Sequence, residues 1–282
     1  MAGKRRWKQW FGRFTQELNL TSGLASLGGL ILSIIAFVGL NAFSSTLAAL
    51  VGILGIIIAV IAITIPAWKA IPPRLKNANT LVGQRLNLEK LQEVDPPLLK
   101  LGVVGPELVG KSTLLMRILH QTPAKVRTDT VHAYVTSLKI EPFHFIALLD
   151  GPGEMYANQF QVATPANILL IVLDHHASDN EKSIDEARIQ KHIDFQKQLR
   201  WHLREQNNKP ASIHLLLNKR DLWEKNSQNE CIRLKKFLES EEKAWKDSNL
   251  VAQVTSAEHS NERPNDIAQL VSDLKRLVIN MS

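Results

Sequence analysis

Eight residues, Gly105–Ser112 (GPELVGKS), restrict the fold more than any other stretch of this 282-residue chain. They fit the pattern G-x-x-x-x-G-K-[ST]. An apolar run, Leu98–Val104, precedes them and reads as a buried strand; Thr113–Leu119 follows and reads as a helix. A strand that turns through glycines into a helix start makes a concave loop whose backbone N–H groups face inward, backed by the positive end of the helix. Gly105 and Gly110 let the backbone wrap, with Glu107, Leu108, Val109 and Thr113 completing the lining. Lys111 can reach the β- and γ-phosphates of a nucleotide, and Ser112 can hold Mg²⁺. The bland alternative, a chance glycine-rich turn, has no reason to come with a flanking strand and helix.

The chain beyond the loop supplies further chemistry in a fixed order. Val131–Ile140 alternates as a strand does, and Phe143–Leu149 is an apolar strand running into Asp150. Asp150–Gly153 (DGPG) matches D-x-x-G at a strand end, 39 residues after Lys111. A carboxylate there can orient water on Mg²⁺, and the Gly153 N–H can bond the γ-phosphate. Ile168–Leu173 and Ile213–Leu217 read as buried strands, with the long, charged 174–209 between them, mostly helical. Asn218–Asp221 (NKRD) follows the second at once and matches N-K-x-D. Asp221 can accept two hydrogen bonds from the N1–H and 2-amino group of guanine, a donor pair adenine lacks. Asn218 can tie this loop to its neighbours, and the stem of Lys219 can cover the ring face. Val251–Val254 reads as the last strand, which places Ser256 and Ala257 just beyond it, with the Ala257 N–H facing guanine O6. Asp266–Ile279 closes the domain as an amphipathic helix with Ile267, Leu270, Val271, Leu274 and Val278 on its apolar face.

These four motifs in this order resemble the TRAFAC-class small GTPases, the Ras, Arf and signal-recognition-particle-receptor β group, over about residues 98–282. The resemblance implies an α/β fold: a P-loop GTPase domain with a mixed, mostly parallel six-stranded sheet wrapped by helices. It implies GTP and GDP as ligands with Mg²⁺, and a loop (Thr122–Thr130) that senses the γ-phosphate through a threonine on the metal, Thr130 by position with Thr128 as the alternative. Metal ligands are then Ser112, Thr130 and Asp150, and the residues of catalysis Lys111, Thr130 and Glu154. Three positions depart from the pattern. Glu154 stands where Ras-like enzymes place a water-orienting glutamine, so that hydrolysis is slow, or binding occurs without it. Glu107 replaces a glycine of the Ras-type loop. Glu258 follows Ser256–Ala257 where many relatives have lysine.

Ahead of this domain lies a different kind of sequence. Leu20–Leu40 and Leu47–Ile65 are apolar over 21 and 19 residues without a charged side chain, long enough to cross a bilayer as helices. The link 41–46 is short, so the pair reads as a transmembrane hairpin (20–68). A signal peptide or two buried soluble helices are the alternatives. Residues 1–97 carry ten Lys/Arg against four Asp/Glu, and the rest of the chain is nearly neutral. This distribution argues against a nucleic-acid face on the domain, and by the positive-inside rule puts both ends in the cytoplasm, on a bacterial inner membrane or the endoplasmic reticulum. Small residues on both helices (Ser26, Gly29, Ser33 and Ala36; Ala48, Gly52, Gly55 and Ala59) allow close helix contact and homo-oligomers. Residues 1–19 read as a basic arm with an aromatic stripe, either in the headgroup layer or disordered. Residues 69–97 read as a proline-punctuated juxtamembrane linker with a short helix over Thr80–Val94. The expected partners are a guanine nucleotide, the bilayer, and a protein effector or membrane complex. The single cysteine, Cys231, allows no intrachain disulfide and suits a reducing compartment. His175 and His176 read as solvated loop residues, with a metal site as the alternative.

Overall fold

The structure is a computed structural model that describes residues 7, 10–17, 38, 53, 57, 60–61, 63–71, 74–121, 130–137 and 145–280. It comprises two compact units, Met1–Arg74 and Leu75–Ser282.

In the first unit, residues 10–17 are helical. Trp10 stacks on Phe14 one turn on, with ring centroids 5.0 Å apart, and its indole N–H donates to the Ala67 carbonyl at 3.2 Å. The two apolar runs lie mostly outside the described residues, as does the link between them. Among the described residues no helix is long and apolar enough to cross a membrane.

The second unit is built on a seven-stranded sheet. In chain order its strands and those of a small accessory sheet are β1 (Lys76–Asn77), β2 (Arg85–Leu86), β3 (Val94–Asp95), β4 (Leu99–Val104), β5 (His132–Ser137), β6 (Phe145–Asp150), β7 (Ile168–Leu173), β8 (Ser212–Leu217) and β9 (Gln253–Glu258). The main sheet runs β2-β5-β6-β4-β7-β8-β9, parallel except where β5 pairs with β6 and with β2. The helices are α1 (Lys111–Ile118), α2 (Tyr156–Ala163), α3 (Glu186–Glu205), α4 (Arg220–Trp223), α5 (Gln228–Asp247) and α6 (Pro264–Asn280).

The central strands are apolar without a break because both faces are covered. Along β7, Ile168, Leu170 and Val172 point to α1 and α6, while Leu169, Ile171 and Leu173 join the core formed with α2, α3 and α5. The expected apolar face of α6 is the buried one, with Leu270, Leu274 and Val278 against the sheet.

The junction departs from expectation. Residues 75–97 are not a linker with one helix but part of the second unit. Two 3-10 turns, Ala78–Leu81 and Leu88–Glu93, flank β2, and β1 pairs with β3. Gly83, at a left-handed φ of 79°, breaks the helical period. Leu81, Leu86, Leu91 and Val94 are therefore spent on the domain core rather than on a helix face. β2 is the seventh strand, one more than the motifs predict.

Several histidines are buried in this unit. His214 on β8 has Nδ1 2.6 Å from the Thr255 hydroxyl and, among the described residues, no partner at its other ring nitrogen. Burial drives its pKa down from 6.5 to about 4, and burial also lowers His175, His192 and His259. The unfolded chain therefore takes up protons that the folded chain refuses as pH falls below about 6.5. Stability is expected to drop between pH 7 and pH 5 by about 2 kcal/mol from His214 alone. Denaturant unfolding at the two pH values measures it, and equal stability at both would contradict it.

Candidate nucleotide site

Parallel pairing brings the C-terminal ends of β4, β6, β7, β8 and β9 to one edge of the sheet. The loops that leave them meet there, as is usual for ligand sites in open α/β sheets.

The loop after β4 is tightly fitted. A Cβ on Gly105 would lie 2.4 Å from the Val172 carbonyl oxygen. Gly110 caps α1 at φ 89°, and a Cβ on it would meet the side-chain amides of Asn218 and Asn261 at 2.7 Å. Val109 is buried, whereas Leu108 is exposed at a left-handed φ of 62°. Lys111 is buried, with Nζ donating to the carbonyls of Gly105 and Pro106, each at 2.8 Å. Burial pushes its pKa down to about 8, with the Asp150 carboxylate acting in the other direction.

Two oxygen donors stand together one residue on. The Ser112 hydroxyl donates to Asp150 Oδ2 at 3.0 Å, and Asp150 Oδ1 accepts from the Gly151 N–H at 2.9 Å. Gly153 closes on the loop so nearly that a Cβ would be 2.6 Å from Lys111 Nζ and 2.7 Å from the Glu107 nitrogen. Glu154 follows, exposed.

At the far end of the site the loop after β8 is strapped to the first. Asn218 Nδ2 donates to the Val109 carbonyl at 2.8 Å. Asn261 Nδ2 donates to the Gly110 carbonyl at 3.0 Å. The Ser260 hydroxyl donates to Asp221 Oδ1 at 2.5 Å, which aims the carboxylate. A hydrogen-bond-accepting carboxylate is thus held at one end of a site whose other end is a glycine-rich cradle with a lysine inside it.

Residues 100–219 match the protein family described as 50S ribosome-binding GTPases. The chain carries a GTPase-family domain. The match runs from β4 through Lys219 and so includes the cradle, Asp150–Gly153 and Asn218. No curated protein matches the chain. Among solved structures, that of the mammalian signal-recognition-particle receptor is 20% identical, covering 63% of this chain and 98% of that one, with a TM-score of 0.44. A GTP-binding protein from the archaeon Sulfolobus solfataricus, solved with GDP, is 19% identical over 81% of this chain and 63% of its own, with a TM-score of 0.44. A bacterial selenocysteine-specific elongation factor is 14% identical over 66% of this chain and 29% of that chain, with a TM-score of 0.43.

The GTPase domain does not bring every expected residue to this edge. Ser256 and Ala257 are inside β9, opposite Leu215 and Leu216. The Ser256 hydroxyl contacts Glu242 on α5, and Ala257 packs into the core. The strand runs on to Glu258, opposite Leu217, so the loop beside Asp221 is His259–Ser260–Asn261. Glu258 pairs instead with Lys235 at 2.7 Å. The pairing register is the reason: Val254 stands opposite Ile213, so a strand ending there would stop short of the edge where β8 gives way to Asn218. Ser260→Ala is expected to weaken guanine-nucleotide affinity about tenfold, since it removes a hydrogen bond to a charged group. Ser256→Ala is expected to leave that affinity unchanged. Equilibrium titration with fluorescent GDP compares the two.

Other residues occupy places the motifs do not mark. Gln159 on α2 is fully buried. Its side-chain oxygen accepts from the Gly105 N–H, and its amide donates to the carbonyls of Gly151 and Pro152, joining the two phosphate-side loops. Lys219 sits at φ 59° with Nζ 3.0 Å from Asp174 Oδ2 and 3.1 Å from Asp179 Oδ1. His175 is buried, with Nε2 2.9 Å from the Glu181 carbonyl oxygen, rather than solvated. Among the described residues no group of His, Cys, Asp and Glu is arranged to hold a metal ion. Thr130 is exposed at the entry to β5, where its hydroxyl accepts from Arg85 at 3.3 Å. Residues 122–129, with Thr128 and most of the expected sensing loop, lie outside the described residues.

Proposed function

We propose that the protein is a membrane-anchored guanine-nucleotide switch that binds GTP or GDP with Mg²⁺ and hydrolyses GTP slowly. One observation carries the reading: the amides of Asn218 and Asn261 strap the base-side loop to the cradle while Ser260 aims Asp221. This joins a phosphate pocket to a guanine-reading carboxylate. The residues fit the ligand. Lys111 is buried with its ammonium on the loop carbonyls of Gly105 and Pro106, and Gly110 and Gly153 leave no room for a Cβ. The Ser112 hydroxyl and Asp150 carboxylate are hard oxygen donors of the kind Mg²⁺ prefers, and Thr130 would add a third. The metal would neutralise charge on the β- and γ-phosphates. Lys111 would hold those phosphates, the Gly153 N–H would meet the γ-phosphate, and Glu154 would contact the attacking water. A carboxylate at that place supports slow turnover, since it can take a proton but also repels the phosphate.

Anchoring by 20–40 and 47–65, with both ends in the cytoplasm, is supported by the flanking charge. Ile53, Ile57, Val60, Ile61, Ile63 and Ile65 are also helical and exposed, as side chains facing lipid would be. The bound partner would then be a protein effector or complex of that membrane. A second reading, a GTP-dependent scaffold that does not hydrolyse, rests on Glu154 alone.

Purification of the full chain tests both parts. It is expected in the membrane fraction, released only by detergent, with guanine nucleotide bound. A single-turnover assay should then release phosphate on a scale of minutes or slower. Protein in the soluble fraction defeats the anchor. Bound GTP that survives intact selects the scaffold, and bound adenine nucleotide defeats the switch.

A further inference from the structure

Two residues of the site hold a left-handed backbone without being glycine: Leu108 in the cradle, at φ 62°, and Lys219 in the base-side loop, at φ 59°. Such a conformation needs support from its surroundings. Both lead to one buried carboxylate. Asp174, at the end of β7, is fully buried. Arg188, in the first turn of α3, grips it with two nitrogens, Nε to Oδ1 at 2.6 Å and Nη2 to Oδ2 at 3.2 Å. The same Nη2 donates to the Glu107 carbonyl at 2.7 Å. On the other side, Lys219 Nζ lies 3.0 Å from Asp174 Oδ2. His192 Nε2 is 2.8 Å from Oδ1.

The peptide between Glu107 and Leu108 is planar and trans, so its C=O and N–H point in opposite directions. A guanidinium that fixes the Glu107 carbonyl on the outside therefore aims the Leu108 N–H into the cradle. A bidentate fork gives Arg188 one orientation, which a lysine cannot reproduce.

We propose that Asp174 and Arg188 are positioning residues of the nucleotide site: through Arg188 to Glu107 and through Lys219, a single buried carboxylate holds the phosphate loop and the base loop in the conformations that grip a nucleotide. The proposal rests on the guanine-nucleotide reading above. Neither residue belongs to the four motifs, and neither touches the ligand in this scheme.

The test is the release rate of fluorescent GDP from the detergent-solubilised full chain. Arg188→Lys keeps the charge beside Asp174 but loses the fork, and is expected to release GDP about tenfold faster, equivalent to about 1.4 kcal/mol. Adding Leu108→Gly to that variant should return release to within about threefold of wild type, because glycine adopts positive φ without support. A residue with a merely structural role would not be rescued in this way. Arg188→Gln is the second variant if lysine lowers the melting temperature, and the same rescue is expected. Release at the wild-type rate from the Arg188 variants, or no slowing on addition of Leu108→Gly, overturns the proposal. A wild-type protein that takes up no GDP, although folded, overturns the nucleotide reading and this one with it.

Discussion

Lys111→Ala is expected to lower the affinity for GTP and GDP by roughly two orders of magnitude or more, because truncating one member of a buried, hydrogen-bonded charge pair costs about 2–5 kcal/mol. The physical reason lies in where the ammonium sits. It is buried, it donates to the carbonyls of Gly105 and Pro106, and burial holds its pKa down to about 8. A di- or triphosphate is the partner that would repay this desolvation. The ligand-free protein is the control. Removing a desolvated charge should leave the nucleotide-free protein no less stable, so the melting temperature without ligand should hold or rise while binding is lost. Equilibrium titration and thermal unfolding of the full chain separate the two effects. Tight GTP binding by the variant would mean that the cradle does not hold the phosphates through this residue.

The second large effect belongs to the base. Asp221→Ala is expected to reduce the preference for GTP over ATP by about 10²–10⁴. Asp221 Oδ1 is already engaged by the Ser260 hydroxyl at 2.5 Å, which fixes the carboxylate plane. Guanine offers two donors to a carboxylate; adenine offers no such pair and would leave it unpaired. With alanine the penalty against adenine disappears along with the gain from guanine, so GTP affinity should fall while ATP affinity should not. Competition of the two nucleotides against fluorescent GDP measures the ratio. An unchanged ratio would move base recognition away from Asp221.

Much of the domain was legible in one dimension because its signals are local. The cradle, Asp150–Gly153 and Asn218–Asp221 each follow an apolar strand that is buried on both faces, and the structure places each at the same sheet edge. The apolar period of α6 was readable for the same reason. What failed was longer in range. β2 forms only because β5 offers it an antiparallel edge, and no local pattern in a two-residue strand announces that. The leucines of 81–91 have a helical spacing but meet a core instead. Ser256–Ala257 has the right letters, and only the register of β9 against β8 shows that it lies within the strand rather than in the loop beside Asp221.

The chemistry of the site was thus written in the sequence by itself: glycines at the spacing of a phosphate loop, a lysine and a serine beside them, a carboxylate that guanine can satisfy. These depend on residue type and short spacing, which a chain carries with it unfolded. Which residues aim that chemistry was decided by the tertiary structure alone. Gln159 spans 54 residues to reach Gly105, Ser260 spans 39 to reach Asp221, and Arg188 spans 81 to reach the Glu107 carbonyl. The side chains of Gln159, Ser260 and Arg188 are buried, and a buried polar atom without a partner costs free energy wherever its partner lies in the chain. Folding therefore pairs them by proximity in space, to which sequence distance is blind.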